Sequence, residues 1–260
     1  MNSNETNRTI THIDLDAFFV SVSRLENSTL LNKPVLVGGG ERGVVAACSY
    51  EARAFGIHSA MPMKMALRLC PEAIVIRGDH ERYSYYSDVV TDIIRDSVPA
   101  YEKASIDEFY LDLSGMDRFF GCYKWAIELR EKIIRETGLP ISFGLSANKT
   151  VSKIATGEAK PNNHQQIKHG AEKIFLAPLS VNKIPMVGEK TYQLLRGMGI
   201  EKIQTLQQMP PELLFRAFGE HGKIIWDKAN GIDDTPVVPY SERKSISTEE
   251  TFQQDTIDEI

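Results

Sequence analysis

Residues 11–22 read THIDLDAFFVSV. Polar and apolar residues alternate from Thr11 to Asp16 before the stretch turns apolar at Ala17. That period of two is a strand's, with Ile13 and Leu15 on one face and His12, Asp14 and Asp16 on the other. Two carboxylates on one strand face are unusual, because core-facing positions seldom carry charge. Taken alone, the segment reads equally well as an antiparallel strand with one wet face or as the floor of a reactive site.

Working outward, KPVLVGGG (33–40) and GVVAACSY (43–50) read as two short strands joined by a glycine-rich turn. A helix is expected from about 49 to 55, stopped at Gly56. Another begins near Met61 and Pro62 and ends before Pro71. IVIRGD (74–79) is strand-like, and HERYSYYSDVVTDIIRDSV (80–98) has the spacing of a long amphipathic helix. KASIDEFYLDLSG (103–115) is a strand or hairpin arm carrying Asp107, Glu108 and Asp112. A helix over YKWAIELREKIIRET ends at Gly138, and PISFGLSANKT (140–150) supplies a further strand. Strand, helix, strand, strand, helix, strand is the order of a split βαβ, ferredoxin-like layer, with residues 18–78 inserted after its first strand. Beyond Pro161 the pattern is helical and punctuated by glycine, with no further convincing strand. Two glycine-centred helix–turn–helix passages occur there, KIPMVGEKTYQLL and RAFGEHGKIIW.

The 260 residues are 42% hydrophobic and 25% charged, ordinary globular usage that excludes a disordered or collagenous chain. A formal charge of -5 gives no global basic field for nucleic acid, although a local groove can still be basic. Residues 161–250 carry as many Lys and Arg as Asp and Glu, so the helical part is neutral. Cys48, Cys70 and Cys122 are odd in number and lack CxxC spacing, which points to a reducing compartment without a zinc site or disulfide framework. The polar opening MNSNETNRTI lacks the apolar core of a secretory signal. No stretch approaches the ~20 apolar residues of a membrane helix. A soluble, cytoplasmic protein is expected.

The chemistry lies in four features taken together. Asp14 sits on the first strand, and Asp107 and Glu108 open another. SYEARAFG (49–56) sets Tyr50 and Arg53 three apart, on one helical face. EAKPNN (158–163) presents Lys160 on a short loop. Carboxylates converging from two strands, without His or Cys nearby, suit a hard cation such as Mg²⁺ rather than zinc. A dication among them keeps all of them ionised. A tyrosine, an arginine and a lysine beside such ions describe a triphosphate clamp. The competing interpretation is a polar-edged strand, with Arg53 paired to an exposed Glu.

With HIDLDAFFVSVS (12–23), AACSYEARAFGIHSAMP (46–62), the S-I-D-E of 105–108, GLSANKTVSKIATGEAKPNN (144–163) and RKSISTEETFQQD (243–255), the chain resembles the Y-family translesion DNA polymerases of the DNA polymerase IV (kappa-like) branch over nearly its whole length. The resemblance implies an α+β, right-hand polymerase architecture. A ferredoxin-like palm would take residues 1–17 and 79–166, small fingers 18–78, and a helical thumb with helix–hairpin–helix passages 167–240. Residues 241–260 would be a linker to a little finger domain absent from this chain.

It further implies a DNA-directed DNA polymerase that adds dNTPs to a primer by two-metal nucleotidyl transfer, with low fidelity, in translesion synthesis. Asp14, Asp107 and Glu108 match the catalytic metal ligands for two Mg²⁺ ions, joined by the backbone carbonyl of Leu15. Phe18 and Phe19 match backbone contacts to phosphate, and Tyr50, Arg53 and Lys160 the triphosphate positions. Phe19 matches the steric gate against a 2′-hydroxyl, whereas the side chain of Phe18 is expected in the core. Gly188 and Lys190 match thumb-hairpin contacts to DNA. The implied partners are primer–template DNA, dNTP and a sliding clamp reached through the missing C-terminal region, with the protein itself monomeric and clear of membranes. Three positions depart from the family's pattern. Ala47 replaces a hydroxyl residue, Ser49 a frequent Asn, and Met186 a frequent hairpin Gly, whose lack of a side chain allows the closest approach to phosphate.

Overall fold

A computed structural model describes residues 8–40, 42–116, 121–239 and 245–248. The expected linker thus lies outside the described residues apart from 245–248, as does most of RKSISTEETFQQD. Strand β1 (Ile10–Leu15) runs down the middle of a five-stranded sheet with β5 (Tyr101–Lys103), β6 (Glu108–Asp112), β7 (Ile141–Ser146) and β8 (His164–Gln166). The spatial order is β5-β6-β1-β7-β8, antiparallel except for the parallel β7–β8 pair. Its first four members form the split βαβ layer. Its crossovers are the long helices α4 (His80–Arg95) and α5 (Cys122–Thr137), numbered after three helices that precede them in the chain. The strand β8 corrects the expectation that no strand follows Pro161. Its HQQ sequence has no apolar alternation and is held as a strand by pairing to the edge of β7.

Each crossover helix has a clear physical reason to form where it does. Asp79 caps α4 by accepting the Arg82 N–H at 3.1 Å. Gly138 ends α5 at φ 73°, the left-handed conformation that favours glycine. Tyr83, Ser87, Val90 and Ile94 face inward from α4, and Ala126, Leu129 and Ile133 from α5. They meet Ile13, Leu15, Phe109, Leu111 and Phe143 of the sheet in one core. Burying each large apolar side chain there contributes roughly 1.5–3 kcal/mol.

The opposite sheet face is covered too. His12 and Asp16 are each only 1% exposed, which overturns the picture of β1 as a strand with one wet face. The cover is α6 (Lys149–Ala159), a helix the sequence pattern did not disclose. Gly144 of β7 admits it: a Cβ at that position would lie 2.3 Å from the Ser152 carbonyl oxygen and 2.5 Å from the Thr156 nitrogen.

Between β1 and α4 the chain makes an insertion with a sheet of its own, entered through α1 (Phe18–Glu26) and joined to the main core through Val35 and Val37. Its three-stranded sheet has the order β3-β2-β4, from β2 (Val35–Gly38), β3 (Val45–Cys48) and β4 (Ile74–Ile76). Helices α2 (Tyr50–Arg53) and α3 (Met63–Leu69) complete it around a core of Leu36, Val45, Ala52, Ile57 and Met63. Ser49 is buried and caps α2 by accepting the Ala52 N–H at 3.2 Å.

After β8 come α7 (Glu172–Leu176), α8 (Glu189–Gly197), α9 (Ile203–Gln208), α10 (Pro211–Phe218) and α11 (Glu220–Ala229). Their core of Val181, Leu195, Leu206 and Ile225 includes Val151 and Ile154 of α6, so one helix serves two layers. The first glycine-centred passage starts from a single 3₁₀ turn (Val181–Lys183), not an α-helix, and Met186 occupies φ 80°. In the second, Gly219 alone separates α10 from α11. The chain then returns across α6, where the carboxylate of Asp233 accepts from Thr150 N at 3.0 Å and from Thr150 Oγ1 at 2.6 Å. Burial opposes that charge, yet hydrogen bonds from Thr150 and Thr235 and the Lys228 ammonium hold Asp233 at about 2. Cys48, Cys70 and Cys122 are all buried. Among the described residues no helix is long and apolar enough to cross a membrane.

Candidate active site

The register of the central strands gathers the acidic residues. Asp14 on β1 lies directly opposite Glu108 on β6, and the Leu15 N–H donates to the Asp107 carbonyl at 3.0 Å. All of this happens at the end of β1 that feeds α1. Between them Ala17 turns the chain at φ 44°, and the first-turn amides of Phe18 and Phe19 have no helical carbonyl to bond. A cleft of about 140 Å³ opens here, lined among others by Asp14, Phe19, Arg53, Asp107 and Lys160. Ala46 and Ala47 form part of its wall.

Each carboxylate has a local partner. Lys160, at the C-terminal end of α6, forms an ion pair with Asp14. Lys153, two turns earlier on the same helix, reaches Glu108 Oε1 at 2.5 Å. The Ser105 hydroxyl donates to Asp107 Oδ1 at 2.6 Å. Burial raises the Asp14 carboxyl to about 6; Lys160 pulls it down, and Asp107 and Glu108 push it further up. Behind Glu108, burial and three neighbouring lysines hold His12 far below its ordinary range, hence neutral. Its Nδ1 pairs with Thr156 Oγ1 at 2.9 Å.

Among the described residues no three His, Cys, Asp or Glu side chains stand as a ready-made metal cage. The donor set nevertheless fits a hard cation. Its side-chain donors are all carboxylate oxygens, and Asp14, raised chiefly by burial, is pushed further up by Asp107 and Glu108, a repulsion that a dication would relieve.

The remaining expected residues are distributed as follows. Phe18 is buried in the core, 3% exposed, and both it and Phe19 border the cleft. The Phe19 ring lies on that of Tyr83, and His80 meets both edge-on. Phe19 and Ala46 also border a second cleft of about 530 Å³ beneath the glycine-rich turn. Tyr50 donates its hydroxyl to Asp16 Oδ1 at 3.0 Å, and burial, reinforced by Asp16, raises its pKa. The Arg53 guanidinium sits over the Tyr50 ring, 4.5 Å from its centroid. Gly188 and Lys190 are exposed at the start of α8 and do not line the cleft. Sequence reasoning missed Asp16, Lys153 and Tyr83. Asp16 had a signal in the His12/Asp14/Asp16 alternation, and Lys153 in its seven-residue spacing from Lys160.

Residues 13–157 match the family model described as impB/mucB/samB. Over 252 residues the chain is 44% identical to a DNA polymerase IV of Dehalococcoides mccartyi, covering 96% of this chain and 65% of that protein. A DNA polymerase IV of Clostridium perfringens is 41% identical over 255 residues, covering 97% and 71%. The chain thus spans just under two thirds of the Dehalococcoides relative's length. Among solved structures, DinB from Sulfolobus solfataricus superposes with a TM-score of 0.82 at 26% identity, over 89% of this chain and 69% of that one. An insertion ternary complex of Dbh DNA polymerase gives a TM-score of 0.80 at 26% identity, over 88% and 69%.

Proposed function

The chain belongs to the impB/mucB/samB family, that of the Y-family DNA polymerases, and on that premise we propose that it extends a DNA primer by template-directed addition of dNTPs. In this reading the five-stranded layer is the palm, the 18–78 insertion the fingers and the helices from 167 the thumb. The observation that carries it is the meeting of Asp14, Asp107, Phe19, Arg53 and Lys160 in one cleft.

The reaction joins the primer 3′-oxygen to the α-phosphorus of the dNTP and breaks the bond from that phosphorus to the β-bridging oxygen. Pyrophosphate leaves, and the hydroxyl proton passes to solvent. Asp14, Asp107, Glu108 and the Leu15 carbonyl would hold two Mg²⁺ ions. When bound, these supply activation of the 3′-hydroxyl and neutralisation of the leaving charge. Arg53 contributes a planar fork and Lys160 a point charge to the triphosphate. Lys160 leaves Asp14 for the phosphates, freeing that carboxylate as a ligand. The amides of Phe18 and Phe19 meet phosphate oxygens as exposed N–H groups at a helix start do. The Phe19 ring lies beneath the sugar and excludes a 2′-hydroxyl. Ala46 and Ala47 leave room over the nascent base pair, which underlies low fidelity and tolerance of damaged template bases.

Primer extension on a short primer–template, with all four dNTPs and with or without Mg²⁺, tests this reading. Template-directed products that require the metal are expected. Failure of the intact chain to extend the primer while it binds DNA would overturn it.

A further inference from the structure

Asp16 lies at the joint between β1 and α1, 1% exposed, and it is absent from the lining of the cleft. A buried carboxylate is costly unless its oxygens are fully engaged. Three donors from three separate segments engage this one. The Tyr50 hydroxyl from the fingers donates to Oδ1 at 3.0 Å. Ser142 Oγ from β7 and the Asn162 N–H donate to Oδ2 at 2.8 and 2.7 Å. Asn162 stands two residues beyond Lys160, whose ammonium is itself 4.0 Å from Oδ1. Arg53 in turn rests on the Tyr50 ring. One side chain therefore ties down the fingers tyrosine, the ring that supports the arginine, and the loop that carries the lysine.

We infer that Asp16 is a positioning residue for triphosphate binding, which sets Tyr50, Arg53 and Lys160 in mutual register across the fingers–palm boundary without touching the nucleotide. This rests on the polymerase reading above. Ser142 adds to the same link, since its Oγ also accepts the Asn163 N–H at 3.3 Å. The bond to Tyr50 fixes the first residue of α2 where the insertion packs on the main core, and the bond to Asn162 fixes a loop whose one cleft-lining residue is Lys160.

The test uses Asp16→Asn, Asp16→Ala, Tyr50→Phe, the double variant Asp16→Ala/Tyr50→Phe, and Ile133→Val, a buried core change on α5 away from the cleft, as a fold control. Steady-state extension should show the KM for each of the four dNTPs raised about tenfold in Asp16→Ala, the worth of one or two hydrogen bonds, with kcat changed by less than about threefold. Tyr50→Phe should raise KM by a smaller factor, and the double variant should be no worse than Asp16→Ala, because both remove the same link. Calorimetric binding of a non-hydrolysable dNTP analogue to the enzyme–DNA complex should weaken by the same factors. Ile133→Val should lower the melting temperature and leave KM unchanged. The inference is overturned if Asp16→Ala keeps a wild-type KM, if the two changes multiply, or if Ile133→Val raises KM as Tyr50→Phe does. Should Asp16→Ala not fold, Asp16→Asn and Tyr50→Phe decide by the same criteria. A wild-type chain that does not extend primers overturns the polymerase reading. One that does, beside variants of unchanged KM, overturns only the role of Asp16.

Discussion

Tyr83 lies flat against Phe19, with ring centroids 4.1 Å apart and planes within 12° of parallel. The proposed gate ring is thus backed on one side by a second, fully buried ring that blocks its retreat in that direction. Phe19→Ala is expected to admit ribonucleotides, changing discrimination more than the deoxynucleotide rate. Tyr83→Ala should weaken discrimination partly, by letting Phe19 retreat. Tyr83→Phe should be neutral for selection, since the buried Tyr83 hydroxyl has no hydrogen-bond partner among the described residues. Ratios of dNTP to rNTP incorporation decide each case, and an unchanged ratio in Phe19→Ala removes the gate assignment.

Asp107→Asn or Glu108→Gln should abolish nucleotide addition. The fold should survive, because the Glu108–Lys153 pair is partly solvated and such pairs are worth at most about 1 kcal/mol. Extension assays run beside thermal melts separate the two effects. Near wild-type extension by either variant would contradict its placement in the reaction.

Asp14 carries a pH signature. Its carboxyl is raised from 3.8 to about 6 in the fold, so the folded chain holds that proton more tightly than the unfolded chain. This contribution to stability is complete below the unfolded value and is lost as pH rises from about 4 to about 6. Lys160 opposes the rise, so Lys160→Ala should carry the loss to higher pH. The acid limb of the kcat/KM profile, which reports the free enzyme, should move the same way, because a protonated Asp14 cannot act as a ligand. Melts and extension rates between pH 4 and 8, on both proteins, provide the comparison. Coincident profiles would show that Lys160 does not tune Asp14.

Gly144→Ala should destabilise the protein by about 1–3 kcal/mol or more, since the added methyl meets the backbone of α6 and not a yielding side chain. Extension should also slow, because Lys153 and Lys160 ride on that helix. A urea titration with the midpoint unmoved would refute the close packing.

Met186 holds φ 80° with its side chain 56% exposed, so it has neither a backbone preference nor much burial to compensate the strain. Met186→Gly should relieve about 1 kcal/mol. It should also tighten DNA binding if this hairpin approaches the phosphates. A thermal melt and a salt titration of DNA affinity read the two separately. A lower melting temperature would contradict the strain.

What could be read beforehand was whatever a local pattern encodes. Asp14, Asp107 and Glu108 stand out because strand alternation and the S-I-D-E stretch place charge where apolar residues belong. Gly138 marks the end of its helix by ordinary capping. Helix α6 stayed hidden because its buried face mixes Thr150, Ser152 and Thr156 with Val151, Ile154 and Ala155, and so has no clean apolar period. Strand β8 stayed hidden because its order comes from hydrogen bonds to β7 and not from its own HQQ. Asp16 was visible as a residue, but its partners Ser142 and Asn162 lie 126 and 146 positions away. Only the assembled fold makes it a junction.

Helix α6 is anchored at both ends and on two sides. Asn148 and Thr150 tie its start to the returning chain at Gly231 and Asp233, and Lys160 closes on Asp14 at its finish. One residue gained or lost within it would turn everything beyond by about 100° and displace it by about 1.5 Å. Lys160 would then point away from the carboxylates, and the seam with Gly144 would fall out of step. The interval from Asn148 to Lys160 is therefore a stretch whose length is as constrained as its composition. Insertions and deletions that persist among descendants of this chain should avoid it, even where single substitutions along its solvent side accumulate freely.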